Sequence, residues 1–408
     1  MARTVGPPPG GIQRTTVGTI RKTRWVAAAA GLAVLVMVAA ACTSSKASNT
    51  VTGTTPTTGA TSNHWTTSHP FKAGFIYAGA ASDAGWTHAH DVGRLAAESH
   101  FNGIVKTEVK DNVPEGPKVS QVIQQLINDG NKIIFSTSGG YQVAIAAAAK
   151  ANPKVLFEQA TGTDLAPNLS EYYGAGEDGD YLSGMAAGYA TKSGKIGFVA
   201  PYPIPEVIRE INSYTMGARL THPGATVRVV WTNSWFDPDK EQAAAQSLVS
   251  AGVDVLGDGQ DSPTTGQVAA AANLRWTGYD SDQTSIAPKA WLTATTYQWG
   301  AYYTNEIQAA INGTWTSRFY YGGFNDGFVV MAPFGPSVTS HARAAITAKL
   351  NDIKSATFDP FTGPILKQDG SVGVPSGTTL PVWKADNSLS KYSIDFLVQG
   401  VVGSIPKA

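Results

Sequence analysis

Cysteine occurs once in the 408 residues, at Cys42. A single thiol leaves no internal disulfide, so the fold has to be held by core packing. An excess charge of either sign is also missing, because 30 Lys and Arg stand against 30 Asp and Glu. Without a basic face, nucleic acid is not indicated as a partner. Cys/His pairs at metal-ligand spacing, a phosphate-cradling loop and a serine beside a base are absent too, which removes the common hydrolase and nucleotide-binding motifs. His88 and His90 lie two apart at a helix start, point in different directions and are read as structural rather than as metal ligands. Long apolar runs are limited to one, Trp25 to Ala41, which is marginal for a membrane-spanning helix of about 20 residues.

That run follows Arg3, Arg14, Arg21, Lys22 and Arg24, with no acid before it. A basic start, a short apolar stretch and small residues before Cys42 read as a secretory signal over residues 1–41. Ala39-Ala40-Ala41-Cys42 resembles a bacterial lipobox, in which the thiol is lipidated and anchors the mature amino terminus. The usual Leu three residues before the cysteine is replaced by Ala39, and the alternative is an incidental cysteine on a secreted chain. Residues 42–70 are rich in Thr, Ser, Asn and Gly and cannot bury enough surface to offset the cost of ordering, so they read as a tether. Five of the 30 basic residues precede Cys42, leaving 25 against 30 acids and a formal charge of −5 on the remaining 367 residues.

At about 150 residues per domain, the part from Phe71 onward should form two lobes. Strands are expected at Ala73–Ala78, Lys132–Ser136, Val155–Gln159, Lys195–Ala200, Val227–Thr232, Val253–Gly257, Trp276–Asp280 and Trp291–Tyr297. Val119, Val122, Ile123, Leu126 and Ile127 recur on one face of a helix predicted over Pro117–Asp129, with Gly130 as its stop. Asp237-Pro238 caps and opens another, through Lys240 to Ser250. Strands alternating with helices imply an α/β fold with parallel sheets covered on both faces. Two such runs meet near Thr191–Gly194. The first lobe is expected to comprise residues 71–193 plus about 296–330, and the second 194–295 plus about 331–400. Within the tail, Asn351–Ser376 reads as long surface connections.

Polar and aromatic residues gather where strands end, which is where open α/β folds bind ligands. In the first lobe these loops are Ser82–Trp86, Ser136–Tyr141 and Glu158–Gly162; in the second they are Pro201–Pro205, Asn233–Pro238, Gly257–Ser262 and Gly278–Asp282. If both sheets present these ends to one cleft, Trp86 and Trp235 face each other across a flat ligand. Phe236 and Tyr202 fit the cleft or the core equally, whereas Trp291, Trp299 and Trp315 fit core or hinge packing.

The chain resembles the basic membrane protein (Bmp) family of substrate-binding lipoproteins of ABC transporters. The residues that carry this are Gly74-Phe75-Ile76-Tyr77, Asp83-Ala84-Gly85-Trp86-Thr87-His88-Ala89-His90-Asp91, Phe157-Glu158-Gln159-Ala160-Thr161-Gly162, Pro201-Tyr202-Pro203-Ile204-Pro205-Glu206-Val207, Asn233-Ser234-Trp235-Phe236-Asp237-Pro238, Gly278-Tyr279-Asp280-Ser281-Asp282 and Gly313-Thr314-Trp315. Their shared order spans about Phe71 to Pro333. The resemblance implies a type I periplasmic-binding-protein fold, two Rossmann-like lobes with a hinge, and a purine or purine nucleoside as ligand. It places Trp86 and Trp235 as the aromatics that sandwich the base, and Glu158 as the acid that bonds it. Asp280 and Asp282 match the acidic turn that approaches a ribose, or else form a cap and turn pair. Asn212 is placed at a helix start bordering the cleft, and Asp83 fits a ligand contact or a helix cap.

The sequence departs from the nucleoside branch at Tyr297-Gln298, where those relatives carry a lysine that holds the sugar. A bulky ring there shrinks the sugar compartment, so a free purine base, adenine-like, is expected rather than a nucleoside. A nucleosidase or deaminase would need a water-activating carboxylate pair or metal, and the metal-ligand spacing is missing. The expectation is a monomeric, membrane-anchored binding protein without cofactor, serving a permease and ATPase. A ligand-gated receptor without transport is the alternative, and the sequence does not separate the two.

Overall fold

The computed structural model describes residues 65–384, 386 and 388–406. The signal segment, Cys42 and the tether through residue 64 lie outside the described residues. Residues 65–70, read above as the end of the tether, belong to the folded body. Thr66 and His69 form a bridge there, and the Trp65 ring meets Phe71 edge-on at 5.2 Å. An indole supplies the apolar contact that the Thr/Ser-rich stretch lacks.

The first run of elements is β1 (Phe71–Ile76), α1 (Trp86–His100), β2 (Val105–Lys110), α2 (Lys118–Asn128), β3 (Ile133–Ser136), α3 (Gln142–Ala151), β4 (Leu156–Ala160) and β5 (Leu169–Gly174). After α4 (Gly176–Ala190) comes the second run, β6 (Lys195–Ala200), α5 (Pro205–Thr221), β7 (Thr226–Trp231), α6 (Pro238–Ser250), β8 (Val255–Asp258), α7 (Thr264–Ala271) and β9 (Arg275–Trp276). The chain returns through β10 (Thr295–Tyr297), α8 (Trp299–Asn312) and β11 (Phe319–Gly322), then crosses again at β12 (Val329–Met331). It ends with α9 (Ser340–Lys354), β13 (Ile365–Leu366), β14 (Val372–Val374) and β15 (Val401–Val402).

Two parallel sheets result, in the orders β11-β5-β4-β3-β1-β2 and β15-β7-β6-β8-β9. Between them β10 and β12 pair antiparallel, Tyr297 opposite Val329, where the chain passes from one sheet to the other. Central strands such as β3 are buried at every residue, as parallel strands covered on both faces must be. Two strands were hidden by their polarity. The edge strand β2, VKTEVK, turns charged residues to solvent, and β5, LSEYYG, buries Ser170 and Glu171. Conversely, the strand expected over Trp276–Asp280 stops at Trp276, and Asp280 adopts a left-handed φ of 55° that no strand accommodates. The strand expected over Trp291–Tyr297 shrinks to β10 plus one bridge from Trp291 to Trp276.

Helix α6 starts as its sequence requires, with Asp237 Oδ1 accepting from Lys240 N at 3.2 Å and Pro238 in the first turn. The tail corrects the expectation of long surface connections. It holds α9 and the β13–β14 hairpin, buries Phe361, Ile365, Val374 and Leu380, and sends β15 into the second sheet.

Helices α4 and α5 touch backbone to backbone. A Cβ built on Gly184 would lie 2.0 Å from the Tyr214 carbonyl oxygen, and one on Gly217 would lie 1.9 Å from that of Tyr181. The contact buries Glu177 against Arg209, with an ion pair at 3.2 Å, and against Lys391 of the tail at 2.9 Å. Tyr321 Oη donates to the same carboxylate at 2.7 Å. Gly217→Ala should therefore push the helices apart at a cost of ~1–3 kcal/mol, lowering Tm by several degrees in a calorimetric scan. An unchanged Tm would show that the helix pair relaxes without strain.

Candidate ligand-binding site

The loop after β1 carries Asp83-Ala84-Gly85-Trp86 into the start of α1. Asp83 is buried and caps that helix, accepting from Gly85 N at 3.1 Å, Thr87 N at 3.2 Å and His88 N at 2.7 Å. Burial raises its pKa, and these backbone bonds offset part of the effect. Second-lobe loops close directly on this loop. Ala84 N donates to Asp261 O at 2.9 Å, Trp86 N donates to Asp261 Oδ1 at 3.0 Å, and Asp261 N donates to Trp235 O at 3.0 Å. Gln283 Nε2 at 2.9 Å and the Ser281 hydroxyl both donate to Ala84 O. Gly85 permits this approach, because a Cβ there would lie 2.8 Å from the Asp261 Cα.

Trp86 is half-buried in a first-lobe and hinge aromatic cluster. Its ring centroid lies 4.3 Å from His90, 5.3 Å from Trp299, 6.0 Å from Tyr173 and 6.3 Å from Tyr297, and its Nε1 donates to Thr137 O at 2.7 Å. Trp235, also half-buried, has Tyr202 as its ring neighbour at 5.6 Å. Each indole's aromatic neighbours thus come from its own side of the cleft, while Asp261 bonds the backbone of both. Phe236 is 49 % exposed and stands outside this arrangement. His90 is buried beneath Trp299, bonds the Tyr303 hydroxyl through Nδ1, and is held neutral by burial, in keeping with a structural part.

Carboxylates collect beside Tyr297 and Tyr173. Asp180 of α4 accepts from Thr295 Oγ1 at 2.8 Å, and Tyr173 Oη lies 2.9 Å from Glu206 Oε1 and 3.3 Å from Glu210 Oε1, both on α5. Asp280 is buried with its Oδ2 unpartnered. Burial pushes the Asp180 carboxyl up to about 7. It also raises Glu210 and Asp280, with help from neighbouring acids, Asp180 and Glu206 in both cases. Asp261 is raised by burial and then by Asp83. Arg209, the cation on the same helix face, is committed to Glu177. A carboxyl of this set accepts hydrogen bonds through both oxygens when ionised, and accepts through one and donates through the other when protonated, so it suits a ligand edge rich in N–H or O–H groups. Among the described residues, no cluster of His, Cys, Asp or Glu is arranged to hold a metal ion.

The structure redistributes the residues singled out from the sequence. Trp86, Trp235, Asp83, Asp280 and Tyr297 lie around the interlobe contact. Glu158 does not: it sits within β4 rather than at its end, fully buried, accepting from Tyr302 Oη at 2.7 Å and Trp315 Nε1 at 2.6 Å. Burial pushes its pKa up to about 8. Asn212 lies in mid-helix, where Nδ2 donates to Phe396 O at 2.8 Å and Oδ1 accepts from Val398 N at 2.9 Å, clamping the tail. Asp282 is exposed and caps a turn at Thr284 N, 3.1 Å away. Asp180, Glu206, Glu210, Asp261 and Tyr173 were missed. Glu206 and Glu210 offered a signal in their i, i+4 spacing just past a strand end. Asp180 offered a second, as the third acid, after Glu177 and Asp178, at the start of one helix.

These buried acids set a pH dependence. Asp180, Glu158, Asp178 (about 8) and Glu171 (about 9) all have folded pKa values above the unfolded carboxyl range. Between the two values the folded state binds more protons than the unfolded, so stability falls as pH rises. Tm should be higher near pH 5 than near pH 8.5. A flat or rising Tm across that window would contradict the raised values.

The profile of the Bmp family, described as ABC transporter substrate-binding protein PnrA-like, matches residues 71–358. A purine-binding protein of Brucella abortus is 38 % identical over 336 residues, covering 82 % of this chain and 94 % of that protein. A putative ABC transporter glucose-binding protein of Haloferax volcanii is 32 % identical over 292 residues, 72 % of this chain and 74 % of that one. Among solved structures, a solute-binding protein from Aeropyrum pernix superposes with a TM-score of 0.63 at 15 % identity, over 71 % of this chain and 93 % of its own. One from Conexibacter woesei gives 0.59 at 21 %, over 71 % and 98 %. At those identities the likeness shows the fold, the two-lobed one of periplasmic solute-binding proteins. Proteins of this kind bind rather than transform a small molecule, act outside the cytoplasm, and pass it to membrane transporter subunits. No helix among the described residues is long and apolar enough to cross a membrane. The chain belongs to the Bmp family of PnrA-like ABC transporter substrate-binding proteins.

Proposed function

We propose that this protein captures a free purine base, adenine-like, between its two lobes and delivers it to an ABC permease driven by a partner ATPase. The observation that carries the reading is the pairing of an aromatic wall, Trp86 with Tyr297 and Tyr173, with buried acids, of which Asp280 keeps an unpartnered oxygen. A purine offers a flat face to the first and N–H groups to the second. The Brucella relative, named for purine binding, supports the ligand class. Lipidation of Cys42 would tether a monomer to the outer face of the cell membrane, with the first lobe formed by residues 71–193 plus about 296–330 and the second by 194–295 plus about 331–400.

Base recognition is reassigned from Glu158 to Asp280, Glu206 and Glu210, since both Glu158 oxygens are engaged inside the first lobe. Tyr297 supports a base over a nucleoside, because its ring and hydroxyl stand beside Asp180, Glu210 and Asp280, where a sugar would be held. A nucleoside remains the alternative within the same cleft. A sugar is favoured by one observation, the name of the Haloferax relative, and its hydroxyls would also suit the carboxylates.

A calorimetric screen against adenine, guanine, hypoxanthine, adenosine, inosine and glucose tests this, since a bound ligand stabilises the folded state. Adenine is expected to bind tightest; glucose alone would overturn the purine reading. Trp235→Ala, which removes a half-buried ring, should weaken adenine binding about tenfold, a stacked contact contributing on the order of 1 kcal/mol beyond area burial. Unchanged affinity would remove Trp235 from the sandwich. Tyr297→Lys should raise the adenosine-to-adenine affinity ratio, and a constant ratio would detach base preference from Tyr297.

A further inference from the structure

Asp261 occupies an unusual position. It belongs to the loop after β8 in the second sheet, yet its carboxylate accepts from Trp86 N, the first residue of the first-lobe helix α1. Its carbonyl accepts from Ala84 N and its amide donates to Trp235 O. One residue therefore uses all three of its polar groups, two across the interlobe contact and one on the loop that carries the second tryptophan. The first amides of a helix have no partner within it, and Asp83 takes those of Thr87 and His88, leaving that of Trp86 to the other lobe. Asp261 is 94 % shielded from solvent in this state, with a residual exposure of 6 %.

We propose that Asp261 is the latch of the closed form, a positioning residue that joins the lobes through the helix start and sets the separation of the Trp86 and Trp235 loops. Its side chain governs how long the lobes stay shut, and hence how long the ligand is retained, rather than which ligand is chosen. The latch rests on the cleft being the binding site, but not on the ligand being a purine. When the lobes part, the Trp86 amide and the Asp261 carboxylate both return to water, so the bond counts only in the closed state.

The test pairs two measurements on the purified protein carrying Asp261→Ala, Asp261→Asn or Gly85→Ala. The first is adenine dissociation by stopped flow, and the second is solution X-ray scattering with and without adenine. Asp261→Ala should release adenine about tenfold faster, as expected when an interaction confined to the closed state is lost, while preserving the order of preference among adenine, guanine and hypoxanthine. Asparagine keeps an oxygen that accepts from Trp86 N, so Asp261→Asn should restore slow release. Gly85→Ala, on the other lobe, should give the same fast release by obstructing the approach to the Asp261 Cα. Scattering should show the alanine variants more expanded than wild type. Unchanged release and scattering in Asp261→Ala would overturn the latch, and so would a reordered base preference, which marks a ligand contact. If adenine fails to bind wild type, the purine reading falls, while expanded scattering in both alanine variants still supports the latch and identical scattering still overturns it.

Discussion

The backbone contact between α4 and α5 is the constraint on which the site depends. Gly184 and Gly217 let the two helices approach until a carbonyl of each occupies the space of a missing side chain on the other. That approach sets Glu177 and Asp180 of α4 beside Glu206, Arg209 and Glu210 of α5. Like charges at such spacing in a poorly solvated place repel, and the fold answers in two ways. Glu177 is ionised and compensated by Arg209 and Lys391, which hold its carboxyl below the usual range against the cost of burial. The others form no ion pair and feel Arg209 only at a distance, so burial pushes them towards the neutral form. A buried charge is tolerated when it is paired, and Asp280, with one unpartnered oxygen, is among the acids that are not.

The same arrangement divides recognition between the two sides of the cleft. Aromatic surface comes largely from the first lobe and hinge, where Trp86 leans on His90 and Trp299. Hydrogen-bonding capacity comes from the connecting helix and the second lobe. In the proposed reading neither side holds a flat polar ligand by itself, so that binding and lobe closure are one event and a transporter that senses closure senses occupancy. Asp261, Ser281 and Gln283 complete that event with bonds that exist only when the lobes meet. The tail belongs to this design as well. Asn212 clamps Phe396 and Val398, and Lys391 reaches Glu177, so the last residues fasten the helix that carries Glu206 and Glu210.

The amino-acid pattern alone determined the alternation of strands and helices, the two lobes, the start of α6 at Asp237-Pro238, and the loops in which Trp86, Trp235, Asp261 and Asp280 stand. Those features follow from periodicity, capping and turn chemistry, which act between residues near in sequence. Tertiary structure decided the rest. Glu158 and Asn212 are polar residues near expected strand and helix ends, and only the packing of Trp315 and Tyr302 against the one, and of the tail against the other, shows that their groups are already satisfied. Polar β5 became an interior strand because β11 pairs along its outer edge and Tyr302 of α8 stacks on its Tyr172, contacts between residues far apart in the chain. The acids of the cleft lie on α4, α5 and the turn after β9, and the latch joins Trp86 to Asp261 across 175 residues. Local pattern carries no information about such separations, since what unites these groups is burial in a shared space that exists only once both lobes have folded and closed.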